Sequence, residues 1–387
     1  MLPEDRVTRS RLLRCARLLL DWSQARLACE VGVSTSTIYA VTPPIDSIAR
    51  NGINFRSGYG TPVCVQARTQ LVTGLYQYRN SVAGRVGGQQ GNGPQPPVSI
   101  KTIAEMLKPL GYRTGIVGKW HLGWSAAQKP NTQGFDYSYV WQGLTPHYTG
   151  ADNRAKMSPY ENGVQKVNTG LVTDRVADKA IVFITGTPAT TPFFLYVPWL
   201  APHDPLESVT LAGRIGQNDA AMARVMKALR PDTVIFYMGD NGRADGRNKP
   251  FKGGKYNIWE GGVRVPFYMQ WTDHITTSRV VNTPAGFIDV APTILKIAGG
   301  TAEKTDGKDL LDLPADRTVF FDAFDPSPGY GVRQGKWKFY LNWEGTQDRL
   351  YDVEADKAEN INLAASNPDL VKELTAAISQ FKVLIND

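Results

Sequence analysis

The hydrophobic positions of this chain repeat one grammar three times: an amphipathic run, a short continuous apolar run, then a polar cluster. In "SIKTIAEMLKPLGYRTGIVGKWHLG" (99–123), apolar residues recur at helical spacing from Ile103 to Leu110 and Gly111 marks a stop. "YRTGIV" then reads as a strand, and Lys119 and His121 follow it. Residues 174–206, "DRVADKAIVFITGTPATTPFFLYVPWLAPHDPL", give a helix, a turn, the strand "FFLYVP" and His203. Residues 218–242, "NDAAMARVMKALRPDTVIFYMGDNG", give a helix, the strand "TVIFYM", and Asp240 with Asn241.

Strands that are apolar throughout, and alternate with helices, predict an α/β fold with a largely parallel central sheet flanked by helices. In such sheets ligands sit beyond the carboxyl ends of the strands, where the three polar clusters fall. After "IDVAPTILKIAGG" the texture changes to short strand-like runs, "TVFFDAF" and "KWKFYLNW", and a terminal helix from Pro368 to Phe381. The pattern divides the chain into an atypical segment 1–32, an α/β domain 33–310 and a small C-terminal α+β subdomain 311–387 with antiparallel strands. Residues 85–97, "RVGGQQGNGPQPP", read as a loop without core-forming content.

Composition narrows the class. No apolar run approaches the roughly 18 residues of a membrane span, so an integral membrane protein is not expected. Of the net charge of +7, +3 falls within the first 26 residues, where six arginines face three acidic residues, and +4 in the rest. The mildly basic remainder suits an anionic substrate and does not by itself imply nucleic acid. Cys15, Cys29 and Cys64 make neither a disulfide framework nor a CxxC zinc pair. "LLRCARLLL" near the start is interrupted by Arg14 and Arg17, so it lacks the clean apolar stretch of a secretory signal.

Candidate chemistry begins at "TPVCVQARTQLVTGLYQYRN" (61–80), where Cys64 stands at the predicted start of a helix. A helix N-terminus stabilises negative charge, and Arg68, four residues on, shares the same helical face. Taken alone, CxxxR is more often a packed cysteine beside a solvated arginine. The surroundings change that balance, because the stretch resembles the sulfatase signature: a cysteine or serine in CxPxR or CxAxR, followed by a helix ending in Thr-Gly. The resemblance continues in order through "GYRTGIVGKWHLG", "FFLYVPWLAPHDPL", "TVIFYMGDNG", "FKGGKYNIWEGGVRVPF" and "IDVAPTILKIAG" to the C-terminal "GVRQGKWKFYLNW".

That resemblance implies an alkaline-phosphatase-like fold and a sulfuric ester hydrolase of arylsulfatase type. It implies that a maturation enzyme, a partner of this chain, converts Cys64 to formylglycine. It assigns Arg68, Lys119 and Lys255, rather than Lys252, to the sulfate oxygens, His121 to proton exchange with the nucleophile, and His203 to the departing alcohol. One Ca2+ would be held by Asp240, Asn241, the group at Cys64 and an acidic residue near the start. The substrate would be a sulfated small molecule or glycan, and the location periplasmic or extracellular.

The residues agree on chemical grounds. Lys119 and His121 lie two apart, so on an extended segment both would face one side. Lysine supplies fixed positive charge and histidine a transferable proton. Asp240 and Asn241 offer the hard oxygens calcium prefers, although an Asn-Gly turn with an aspartate cap also accounts for "DNG" locally. His147 and His274 have no motif support.

Two departures from the family pattern stand out. Gln66 occupies the position of the signature's proline or alanine. Where the family carries two adjacent aspartates near its start, this chain offers only Asp21, 43 residues before Cys64. These motivate an alternative, a protein that binds sulfated ligands without turnover. A phosphonate or phosphate ester hydrolase on the same fold is a second alternative. A third comes from "ARLACEVGVSTSTIYAV" (25–41), which resembles a DNA-binding helix-turn-helix about Gly32, though Pro43 and Pro44 would cut its second helix short.

Overall fold

The computed structural model describes residues 44–80, 98–142, 158–168, 170–201, 203, 211–244, 248–302, 304–323, 329–342, 345–346 and 348–383. The segments read as a helix-turn-helix, as the loop 85–97 and around Asp21 lie outside these residues.

The sheet layer of the α/β part consists of two larger sheets. One has the order Val164–Gln165, Tyr160–Glu161, Tyr137–Trp141, Arg113–Lys119, Phe193–Tyr196. Its last three strands are parallel and its first two are antiparallel additions. The other has the order Arg279–Val281, Ile53–Phe55, Phe267–Trp271, Val234–Met238, with the two pairings of Phe267–Trp271 both antiparallel. The predicted parallel arrangement is therefore the centre of a mixed architecture.

Local sequence explains the helices. Val172, Val176, Ala177, Ala180, Phe183 and Ile184 recur at helical spacing, so helix Val172–Thr185 buries one stripe and packs on helix Leu211–Ala228 through Ala221 and Val225. Helix Ile103–Leu107 opens on a capping box in which the Thr102 hydroxyl accepts from the Glu105 N–H at 3.2 Å and the Thr102 N–H donates to Glu105 Oε2 at 2.8 Å. A 3-10 turn carries it on to Leu110, and Gly111 ends it at φ 81°, where a side chain would be disfavoured.

Beyond residue 311 a four-stranded antiparallel sheet, Thr318–Asp322 to Asp348–Asp352, carries helix Pro368–Val383 on one face. Leu374 and Ile378 of that helix pack on Val332, Phe339, Leu341 and Leu350. The opposite face meets Tyr59, Ile258 and Val263 through Phe321, Tyr340 and Tyr351. No helix of the described residues is long and apolar enough to cross a membrane.

One expectation is not met. The strands Phe193–Tyr196 and Val234–Met238, read as buried, are half-buried along their whole length. Among the described residues each is the outermost strand of its sheet, and both line one cavity of about 1830 Å³.

Candidate active site

Cys64 is the first residue of helix Cys64–Thr73, which ends at Gly74 with φ 66° and a Gly74 N–H bond to the Gln70 carbonyl. The helix lies inside the protein in spite of its polar residues. Thr69 and Thr73 satisfy their hydroxyls on the carbonyls of Val65 and Thr69 at 2.8 and 2.7 Å. Arg68 donates from Nη1 to the Lys119 carbonyl at 2.9 Å and to the Tyr196 hydroxyl at 3.3 Å, and its Nη2 lies 3.6 Å from Asp240 Oδ2. One guanidinium thus joins the ends of three strands: Arg113–Lys119, Phe193–Tyr196 and Val234–Met238.

Lys119 is the last residue of its strand and 3% exposed. Burial lowers its pKa, the cations Arg68 and Lys255 push the same way, and Cys64 and Asp240 oppose them. His121 is not on an extended segment: its backbone turns into the left-handed region at φ 61°. That strained turn, rather than strand alternation, aims its ring, and such strain is typical of functional sites. Burial first, and then the positive charges of Lys119, Arg68, Lys255 and His203, hold the imidazole well below its ordinary pKa. At neutral pH it is uncharged, and its Nδ1 is buried with no partner among the described residues.

Lys255 Nζ lies 3.4 Å from His203 Nε2. Its loop is stitched to the rest of the site, since Lys255 N–H donates to the Arg243 carbonyl at 3.0 Å and Tyr256 N–H to that of Pro62 at 2.8 Å. Lys252 turns away, over the Trp259 ring at 4.0 Å and onto the Glu359 carbonyl at 3.2 Å. The two lysines thus stand in different surroundings, Lys255 beside His203 and Lys252 on the Trp259 ring. The structure gathers Cys64, Arg68, Lys119, His121, His203, Asp240 and Lys255 into one electrostatic cluster at a cavity lined by Arg68, Lys119, His203, Asp240 and Lys255. His274 stacks on Trp271 with ring centroids 3.7 Å apart, and His147 lies outside the described residues.

Two glycines lock the loops together. A Cβ at Gly60 would lie 2.2 Å from the Asp240 carbonyl oxygen, and one at Gly242 would lie 1.8 Å from that of Gly261. The glycine of "DNG" thus serves close approach to "WEGG", which its Asn-Gly spelling does not disclose. Gly60→Ala is expected to cost about 1–3 kcal/mol by overpacking and to move Asp240. A fall in melting temperature together with weakened anion protection would show it, and an unchanged variant would refute this account of the contact.

Asp240 and Asn241 are the oxygen donors here that calcium would use. Asn241 Oδ1 is buried without a partner among the described residues, while Asp240 Oδ1 accepts from the Asn241 N–H at 3.0 Å. Calcium takes about 6–8 oxygens, and no group of three acidic, histidine or cysteine side chains among the described residues gathers for a metal. Asp21, the remaining acidic candidate, lies outside the described residues. The described donors fall short of a calcium site, so no chemical step is derived through a metal.

Sequence reasoning missed Tyr196, whose hydroxyl fixes Arg68. The available signal was its place as the last residue of a strand at the sheet's carboxyl end.

The family model described as Sulfatase matches residues 30–300. The chain belongs to the sulfatase family, and hydrolase chemistry is that family's. Arylsulfatase J of Mus musculus is 26% identical over 437 residues, covering 88% of this chain and 71% of the relative. N-acetylgalactosamine-6-sulfatase of Homo sapiens is 29% identical over 358 residues, covering 78% and 68%. Against steryl-sulfatase of Mus musculus the match spans 61% of the relative's length. Among solved structures, Ps i-CgsB in complex with k-i-k-neocarrahexaose superposes with TM-score 0.78 at 24% identity, covering 87% of this chain and 86% of that one. PsFucS1 sulfatase from Pseudoalteromonas sp. gives 0.72 at 19%, covering 97% and 94%. The fold is thus the alkaline-phosphatase-like α/β fold of the sulfatases.

Proposed function

We propose that this sulfatase hydrolyses a sulfate monoester of a sugar or aryl alcohol at the group formed from Cys64. The observation that supports the reading is that Arg68 and Lys119 both act electrostatically on the buried Cys64, while His121, His203 and Lys255 stand in the same charged cluster. A formylglycine at position 64 supplies, when present, the oxygen nucleophile that a thiol does not. The position suits it, at a helix N-terminus with Arg68 and Lys119 adjacent.

The remaining chemistry belongs to the other side chains. Arg68 and Lys119, both nearly buried, and Lys255 at the cavity wall offer positive charge to sulfate oxygens. In a water-poor site such fixed charges stabilise the charge that develops at sulfur. His121, neutral, is able to exchange a proton at its Nδ1, which has no partner among the described residues. His203, with Nε2 facing Lys255, is placed to give a proton to the departing alcohol. The relatives named for galactosamine and aryl sulfates support this substrate class.

A second reading, ligand binding without turnover, is favoured by Gln66. It occupies the signature's third position, is 1% exposed, and neither atom of its amide finds a partner among the described residues. The deciding experiment is mass spectrometry of the peptide containing position 64, from protein produced with a sulfatase maturation enzyme. It is run beside turnover of an aryl sulfate, a 6-sulfated galactosamine and an aryl phosphate. An aldehyde or its hydrate at position 64, with sulfate ester turnover abolished in Cys64→Ala, is the expected result. An intact thiol with sulfate ester binding but no turnover moves the second reading to first place. Faster turnover of the phosphate ester sinks the substrate assignment.

A further inference from the structure

Tyr256 directly follows Lys255, and both its backbone and its side chain are out of the ordinary. The backbone stands in the left-handed region at φ 83°, where a bulky residue is an outlier. Glycine suits that conformation, and the same loop already carries Gly253 at φ 76°. The side chain is 45% exposed, and among the described residues no other tyrosine, tryptophan or phenylalanine is exposed. Packing in a core therefore does not offset the backbone strain. The conformation is held from both sides: the Lys255 N–H donates to the Arg243 carbonyl at 3.0 Å, and the Tyr256 N–H to the carbonyl of Pro62, two residues before Cys64, at 2.8 Å. Strain kept in this way at the edge of a site points to a task for the side chain.

The ring's position says which task. Lys255 Nζ lies 5.7 Å from the ring centroid and 3.4 Å from His203 Nε2. Tyr256 thus stands beside the cation offered to sulfate oxygens and the histidine placed at the departing alcohol, and it lines the same cavity as both. In a bound ester the group beside that histidine is the alcohol part. We propose that Tyr256 is a specificity-determining residue whose ring is a platform for the ring face of that alcohol, a pyranose or an aryl group. Both present an apolar face, and a tyrosine ring covers such a face while its hydroxyl stays in water. Lys255, attracted to the face of the same ring, ties the platform to the sulfate end. The inference rests on the sulfate ester hydrolysis proposed above and goes further in naming what selects the alcohol.

Steady-state kinetics of the full-length protein, produced with a maturation enzyme, tests it. The substrates are a 6-sulfated galactosamine, an aryl sulfate and a ring-less alkyl sulfate, with inorganic sulfate as inhibitor. In Tyr256→Ala, KM for a ring-bearing ester should rise about tenfold with kcat unchanged. KM for the alkyl sulfate and inhibition by inorganic sulfate should stay as in the wild type. A rise for the galactosamine ester alone assigns the platform to a sugar, and a rise for the aryl ester alone to an aryl group. Tyr256→Phe, which keeps the ring, should match the wild type. Tyr256→Gly should share the raised KM yet melt no lower than the wild type, because glycine relaxes the backbone. Unchanged KM in Tyr256→Ala overturns the proposal. So does an equal weakening of inorganic sulfate, which would mean that Lys255 has moved, or a Tyr256→Gly protein melting well below the wild type, which would make the ring a packing element. Should the wild type turn over no ester, the activity reading fails by itself and thermal protection decides the platform. A ring-bearing ester should then protect the wild type more than inorganic sulfate does, and Tyr256→Ala no more than inorganic sulfate does. Equal protection of both proteins by that ester overturns the proposal.

Discussion

Lys119→Met should lower sulfate ester turnover by about 10²–10³-fold while leaving the melting temperature unchanged or higher. The two effects have opposite signs for one reason. Lys119 is buried beside Arg68 and Lys255, and the lowered pKa says that its surroundings resist the charge. Holding an ammonium there costs stability in the free protein, which a sulfate group recovers when it binds. Methionine keeps the volume and removes the repulsion, so the fold loses little and the transferring group loses a stabilising cation. The loss should appear in kcat more than in KM, because charge at sulfur is greatest in the transition state. Lys252→Met is the control. Its ammonium sits over Trp259 and bonds the Glu359 carbonyl, so turnover should change by less than about threefold. If Lys119→Met were as active as the wild type, or Lys252→Met as impaired as Lys119→Met, the assignment of the sulfate-facing lysine would be wrong.

Lys119, His203 and Asp240 were legible as candidates because each follows a continuous apolar run, and Arg68 marks where the carboxyl ends of those three runs meet. The run from Ile103 to Leu110 was legible from its apolar spacing and the Gly111 stop, although it is α-helical only to Leu107 and a 3-10 turn beyond. Long-range pairing was not legible in this way. Nothing local to "FYMQW" reveals that Phe267–Trp271 runs antiparallel between Ile53–Phe55 and Val234–Met238. A buried strand reads the same in either direction. Nor could apolar runs reveal which strands lie outermost among the described residues, because that depends on what lies beside them. His121 stands on a left-handed turn, not on the extended segment its spacing from Lys119 implied, and histidine gives no local warning of that conformation.

The same limit hid the charged cluster beneath the C-terminal sheet, where the second large effect is expected. Lys338→Met should destabilise the protein by about 3–5 kcal/mol without entering the active site. Lys338 Nζ lies 2.7 Å from Glu260 Oε1, and both side chains are fully buried. Glu260 Oε2 accepts from Arg264 at 2.9 Å and from the Tyr59 hydroxyl at 3.3 Å, and Arg333 Nε donates to Tyr59 at 2.8 Å. Glu359 accepts from the Glu260 N–H at 2.9 Å and from the Tyr340 hydroxyl. Removing Lys338 strips a buried carboxylate of its nearest cation, while Arg264 keeps the loss toward the lower end of that range.

The pH dependence of stability carries the sign. Burial alone would raise the pKa of Glu260, but attraction to Lys338, Arg264 and Arg333 outweighs it and brings the value to about 2, below the ordinary 4.5. Its stabilising contribution is therefore complete above pH 4.5 and lost as pH falls toward 2. Glu359 moves the other way: burial and the nearby Glu260 raise it to about 7, so its contribution is present below 4.5 and lost as pH rises through 7. In Lys338→Met the acid-side loss should begin at higher pH, because Glu260 no longer has its nearest cation to hold it ionised. Thermal unfolding of both proteins across pH 2–8 measures this. An acid limb in the same place for both would mean that Lys338 does not set the ionisation of Glu260, and a loss under about 1 kcal/mol at neutral pH would mean that the pair behaves as an exposed one.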